Sequence, residues 1–142
     1  MKRSKNKIRA SPGKSVGGKF VAPPIAKDIL PEQQPPLFSL RYLSRDYCIS
    51  HCTEPEKAAF AMTLKLSQLT WSQIQSSPRH GLGYEKIPRA TIKAPVPSLI
   101  TEDTNFIAFR FSGKKAMVGY RDRAVFYVVW LDRNFTLYDH GR

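Results

Sequence analysis

The stretch FIAFRFSGKKAMVGYRDRAVFYVVWLDRNFTLY, residues 106–138, decides how this chain folds. Four apolar runs, FIAFRF, AMVGY, VFYVVWL and FTLY, are separated by the polar breaks Ser112-Gly113-Lys114, Arg121-Asp122-Arg123 and Asp132-Arg133-Asn134. Short β-prone runs joined by tight turn-forming breaks predict consecutive antiparallel strands, a four-stranded meander. The run VFYVVWL is apolar at both parities, with Phe126, Val128 and Trp130 sharing one and Tyr127 and Val129 the other, which predicts a central strand covered on both faces. The polar residues planted in the meander are mostly cationic: Arg110, Lys114, Lys115, Arg121, Arg123 and Arg133. Guanidinium and ammonium groups on a sheet are suited to meet phosphate.

Working outward, residues 37–43 alternate as a strand, and YCISH (residues 47–51) reads as a further extended piece. Thr53-Glu54-Pro55-Glu56 is a capping box with proline in the first turn, so a helix starts there. Ala59, Met62, Leu66 and Leu69 recur at helical spacing, widened by Phe60 and Leu64, as a helix on one face of a sheet requires. Thr70-Trp71-Ser72-Gln73 offers a second box, making a helical hairpin possible. Arg79-His80-Gly81-Leu82-Gly83 is a basic, flexible connection. Residues 84–97, interrupted by prolines, read as an edge strand or an extended loop. The expected fold is therefore α+β: an antiparallel sheet packed by one helix or a helical hairpin.

The first 36 residues differ in kind, with six of the eleven prolines and no regular apolar period, and are expected to be a disordered basic tail ahead of a domain spanning 37–142. The chain of 142 residues carries a formal charge of +12. Eight basic residues face two acidic ones in 1–36, and fifteen face nine after it, so the folded part is basic in its own right. That balance favours polyanionic partners, RNA or a ribosome among them. Cys48 and Cys52 lack the second pair that a zinc site or a disulfide framework needs, and a site from His51, Cys52 and His80 lacks metal-ligand spacing, so neither metal nor cofactor is expected. No apolar run reaches the ~20 residues of a membrane span, and no secretory segment follows the basic N-terminus; a soluble, cytoplasmic protein is expected. Walker, GxSxG and dinucleotide-binding glycine patterns are missing, which leaves those enzyme classes without support.

The element order, the loop GLGYEKI and the ending VFYVVWLDRNFTLYDHG resemble the RelE-like superfamily of bacterial toxin–antitoxin ribonucleases over residues 37–142. The resemblance implies an endoribonuclease acting on messenger RNA in the ribosomal decoding site, restrained by a separately encoded antitoxin. It implies metal-independent attack of a ribose 2′-hydroxyl on the adjacent phosphate. By position it points to Glu85, Lys86 and Arg89 after the helices, Arg110 and Arg121 on the strands, and Tyr138 and His140 at the end. The tail, the sheet around residues 106–120 and the proline-rich segment 94–97 depart from the family's pattern.

In-line attack needs a proton acceptor, a proton donor and positive charge at phosphorus. His140 and Glu85 are the candidates for proton transfer, with Arg110 and Arg121 for charge; Lys86, Arg89, Lys114, Arg123 and Tyr138 are the candidates for holding RNA. Each also has an ordinary reading, as a solvent-facing histidine, glutamate or strand arginine. The rival function is a non-catalytic RNA- or ribosome-binding module, or a regulator acting through protein contacts. Catalysis requires convergence in one concavity, whereas binding alone is satisfied by a spread basic surface.

Overall fold

The computed structural model describes residues 29–78 and 82–140. The expected tail falls largely on residues 1–28, and Arg79, His80 and Gly81 likewise lie outside the described residues. The fold is α+β. Five strands, β1 (Leu37–Ser39), β2 (Tyr84–Ile87), β3 (Phe106–Ser112), β4 (Lys115–Asp122) and β5 (Val125–Asp132), form one sheet in the order β1-β5-β4-β3-β2. All neighbours are antiparallel except β1, which runs parallel to β5.

Both capping boxes form. Thr53 and Glu56 start α1 (Glu54–Met62), and Thr70 and Gln73 start α2 (Trp71–Gln75). Between them the chain tightens into a 3-10 turn, Thr63–Gln68, where the Thr63 hydroxyl donates to the Phe60 carbonyl at 2.6 Å. Three residues per turn rotate the apolar stripe away from the α-helical spacing. Met62, expected inside, ends α1 on its exposed side, while Leu66, within the 3-10 turn, is buried. The helices cover one face through Trp71, Ile74, Phe109, Met117 and Phe126. Trp71 is fully buried, and its indole N–H donates to the Ala124 carbonyl at 3.0 Å.

The sheet's second face is covered as well, by irregular segments that bring Ile92, Val96, Ile100, Leu137 and Tyr138 onto Phe106, Val118 and Trp130. The apolar character of β5 at both parities follows from this two-sided burial. Phe126 and Trp130 are both in the core but on opposite faces, contrary to simple alternation. A β-bulge is the cause: Val118 pairs with Trp130 and Gly119 with Val128, so Val129 is an extra residue and both Val129 and Trp130 turn to the second face. Gly119 is required there, because a Cβ would lie 1.8 Å from the Tyr127 carbonyl oxygen.

Four further expectations change. The run FTLY is not a strand: β5 already has β1 and β4 on its two edges, so no ladder is open beside it. The expected strand at 37–43 stops at Ser39, where the Leu43 amide turns back to the Leu40 carbonyl, and YCISH forms two 3-10 turns, Arg45–Tyr47 and Ile49–His51. The described chain begins to pack before Leu37: Pro31–Gln33 is a 3-10 turn, and the Gln34 carbonyl accepts the Trp71 amide at 3.0 Å.

Two of the meander's cations are taken up internally. Glu56, buried at the start of α1, accepts from Lys115 Nζ and, at 2.5 Å, from Arg133 Nε. The Lys115 hydrogen bond, then the Thr53 amide and the Arg133 guanidinium, hold its carboxyl down at about 2. Among the described residues no helix is long and apolar enough to cross a membrane.

Candidate functional site

Strand alternation on β2 sets the first wall of a cleft on the second face. Tyr84 packs edge-on against Trp71 and Phe109 on the helical side. Glu85, one residue on, therefore emerges on the opposite face, across from Ala108. Arg110, two residues beyond Ala108 on β3, has the same orientation and pairs with Ala116 of β4. Lys114 follows in the β3–β4 turn, beside Gly113 at φ 60°. Ala108 and Ala116 have side chains too short to fill the space above them, and a cleft of about 530 Å³ opens there. Its other wall is the chain after β5: Phe135, Tyr138, Asp139 and His140.

That second wall is organised by Asp132, the last residue of β5, which is fully buried. Its Oδ1 accepts the Thr136 amide at 2.9 Å and the Leu137 amide at 3.2 Å; its Oδ2 lies 2.8 Å from His140 Nε2. A carboxylate that only accepts makes Nε2 the donor, so Nδ1 is the acceptor of the neutral ring. The imidazole is stacked on Tyr138, centroids 4.0 Å apart at 22°, and meets the edge of Phe135 at 5.1 Å. Phe135 has φ 59°, a left-handed backbone that a bulky side chain adopts at a cost and that recurs at functional sites. The capture of the Thr136 and Leu137 amides by Asp132 is the local reason that FTLY wraps instead of extending.

Glu85, Arg110, Lys114, Tyr138 and His140 thus share one cavity. Tyr138 is buried, so it supports the imidazole and is not an open platform for a base. Arg121 is not in the cleft. It stands five residues from Ala116 along β4, about 17 Å at strand rise, and its odd offset puts it on the helical face. There its guanidinium lies 4.4 Å over the Trp71 ring, with Nε donating to the Arg123 carbonyl at 2.6 Å and Glu32 3.5 Å away. Arg89 also lies elsewhere, donating to the Thr101 carbonyl at 2.6 Å and covering Phe106, so it ties the 88–105 segment to the sheet. Lys86 is exposed and alternates away from Glu85, and Arg123 projects from the β4–β5 turn beside Asp122.

The residue that sequence reasoning missed is Asp132, which reads as an ordinary turn former in Asp132-Arg133-Asn134. Phe135 and the two alanines were missed for a related reason: their importance comes from shape alone. Among the described residues no three His, Cys, Asp or Glu side chains gather as metal ligands. Comparison with protein-family models, with curated proteins and with solved structures gives no match.

Proposed function

We propose that the cleft is an endoribonuclease site, cleaving single-stranded RNA by in-line attack of a ribose 2′-hydroxyl on the adjacent phosphate. The observation that carries this reading is the meeting of Glu85, Arg110, Lys114 and a His140–Asp132 pair in one concavity. Glu85 takes the 2′-hydroxyl proton as the O2′–P bond forms. His140, in its imidazolium form, gives the Nδ1 proton to the departing 5′-oxygen as the P–O5′ bond breaks, while its Nε2–H stays on Asp132. Arg110 and Lys114 sit beside the phosphate and offset the charge that develops on its oxygens. The products are a 2′,3′-cyclic phosphate and a 5′-hydroxyl. The wider setting, messenger RNA on the ribosome with a separate antitoxin, is supported by the RelE-like resemblance over residues 37–142.

The test is cleavage of end-labelled RNA, with and without ribosomes, by wild type and His140→Ala. The expected result is a 2′,3′-cyclic phosphate terminus from wild type, no cleavage by the variant, and no cleavage of a strand with 2′-deoxyribose at the scissile nucleotide. Cleavage that survives either change overturns the reading. RNA binding without any cleavage favours the non-catalytic module.

A further inference from the structure

On the same sheet face as the cleft, the other end of β4 carries a cluster of tyrosines. Tyr120 and Tyr127 are direct cross-strand partners whose rings stack at 4.9 Å and 18°. Tyr42, in the turn after β1, closes on both, 5.5 Å from Tyr127 and 6.4 Å from Tyr120. Arg41, which is exposed, lies 5.6 Å from the centre of the Tyr42 ring. Tyr120 is four residues from Ala116 along β4, so the cluster is about 13 Å from the cleft floor at strand rise.

Cross-strand aromatic pairs often do no more than stabilise a sheet. Two features set this cluster apart. All three rings are only half-buried, although they stand beside a core that fully buries Phe106 and Trp130. Among the described residues, none of the three hydroxyls has a hydrogen-bond partner, yet none is sealed from solvent. Burial, then the neighbouring phenols, pushes the Tyr120 hydroxyl up, which keeps that ring neutral. Half-buried phenol rings, wet at their tips and flanked by a guanidinium, match the aromatic-plus-cation makeup of surfaces on which bases of single strands stack.

We propose that Tyr42, Tyr120 and Tyr127, with Arg41, form a base-stacking subsite for single-stranded RNA whose backbone continues into the cleft. The identity of the strand as RNA rests on the ribonuclease reading; the stacking itself does not.

The experiment separates the two. Fluorescence anisotropy is measured on full-length protein with labelled oligothymidine, which lacks a 2′-hydroxyl and is not cleaved, and with an abasic strand of equal length. Tyr42→Leu is expected to weaken oligothymidine binding about tenfold and to leave the abasic strand unchanged. Arg41→Gln is expected to weaken both. Tyr127→Leu serves as a second variant if its melting temperature matches wild type; Tyr42, in a surface turn, serves if it does not. Unchanged oligothymidine affinity in Tyr42→Leu, or equal loss on both strands, overturns the subsite. If His140→Ala still cleaves while Tyr42→Leu loses oligothymidine, the ribonuclease reading fails and the subsite stands.

Discussion

His140 Nε2 lies 2.8 Å from Asp132 Oδ2, and the carboxylate that holds it is fully buried and anchored by the amides of Thr136 and Leu137. Replacing Asp132 by Asn offers the ring an amide in place of an acceptor-only group and frees the tautomer that presents Nδ1. Single-turnover cleavage should fall about 100-fold in Asp132→Asn, the scale of a lost acid–base contribution, with KM little changed. His140→Ala should leave no detectable cleavage, and adding Asp132→Asn to it should change nothing further, because the two act as one unit.

The two strand arginines should separate cleanly. Arg110→Gln is expected to lower cleavage about 100-fold with a near-wild-type melting temperature, since the side chain lines the cleft and half faces water. Arg121→Gln should leave cleavage within about twofold and cost about 1–2 kcal/mol of stability, because it loses the Trp71 contact and the Arg123 carbonyl. Kinetics and thermal melts on the same preparations check both halves. The opposite pattern would move the active face to the helical side.

Acid should loosen α1 from the sheet. The Glu56 carboxyl is held at about 2 against an ordinary 4.5, chiefly by Lys115, then by the Thr53 amide and Arg133. A depressed carboxyl contributes stability that is complete above its unfolded pKa and is lost as pH falls through the folded one. Urea midpoints should therefore drop between about pH 4.5 and 2, and Glu56→Gln should flatten that slope. At neutral pH Glu56→Ala should cost about 3 kcal/mol, since it strands two cations beside a buried site.

Two glycines should respond differently to alanine. Gly119→Ala places a methyl against the Tyr127 carbonyl, which belongs to the backbone of a central strand and has no room to move; a loss of about 3 kcal/mol or more is expected. Gly113→Ala meets open space and costs only its left-handed backbone, about 1 kcal/mol. Chemical denaturation of both variants measures the difference.

Much of the fold was legible because local chemistry fixed it. Both capping boxes announce their helices at Thr53 and Thr70, and three of the four apolar runs after Phe106 become β3, β4 and β5. What escaped depended on partners distant in sequence. The parallel pairing of β1 with β5 leaves no local trace, yet it is what denies FTLY a place in the sheet. The same holds for the site. Glu85, Arg110 and His140 stand out by residue type, whereas Asp132 becomes conspicuous only once two amides and an imidazole close around it. Arg121 misled because its type suited phosphate while its parity and position did not.

The extra residue at Val129 has a further consequence for where chemistry can occur. Downstream of it, each side chain of β5 points the way its neighbour would have pointed in a regular ladder, and Asp132 comes to sit across from Ala116. Deleting Val129 would remove the bulge and leave Asp132 across from Ala116, whereas a regular ladder that kept Val129 would turn Asp132 toward the helices and cost the imidazole its anchor. A single-residue irregularity in the middle of the molecule thus selects which side of it can be reactive.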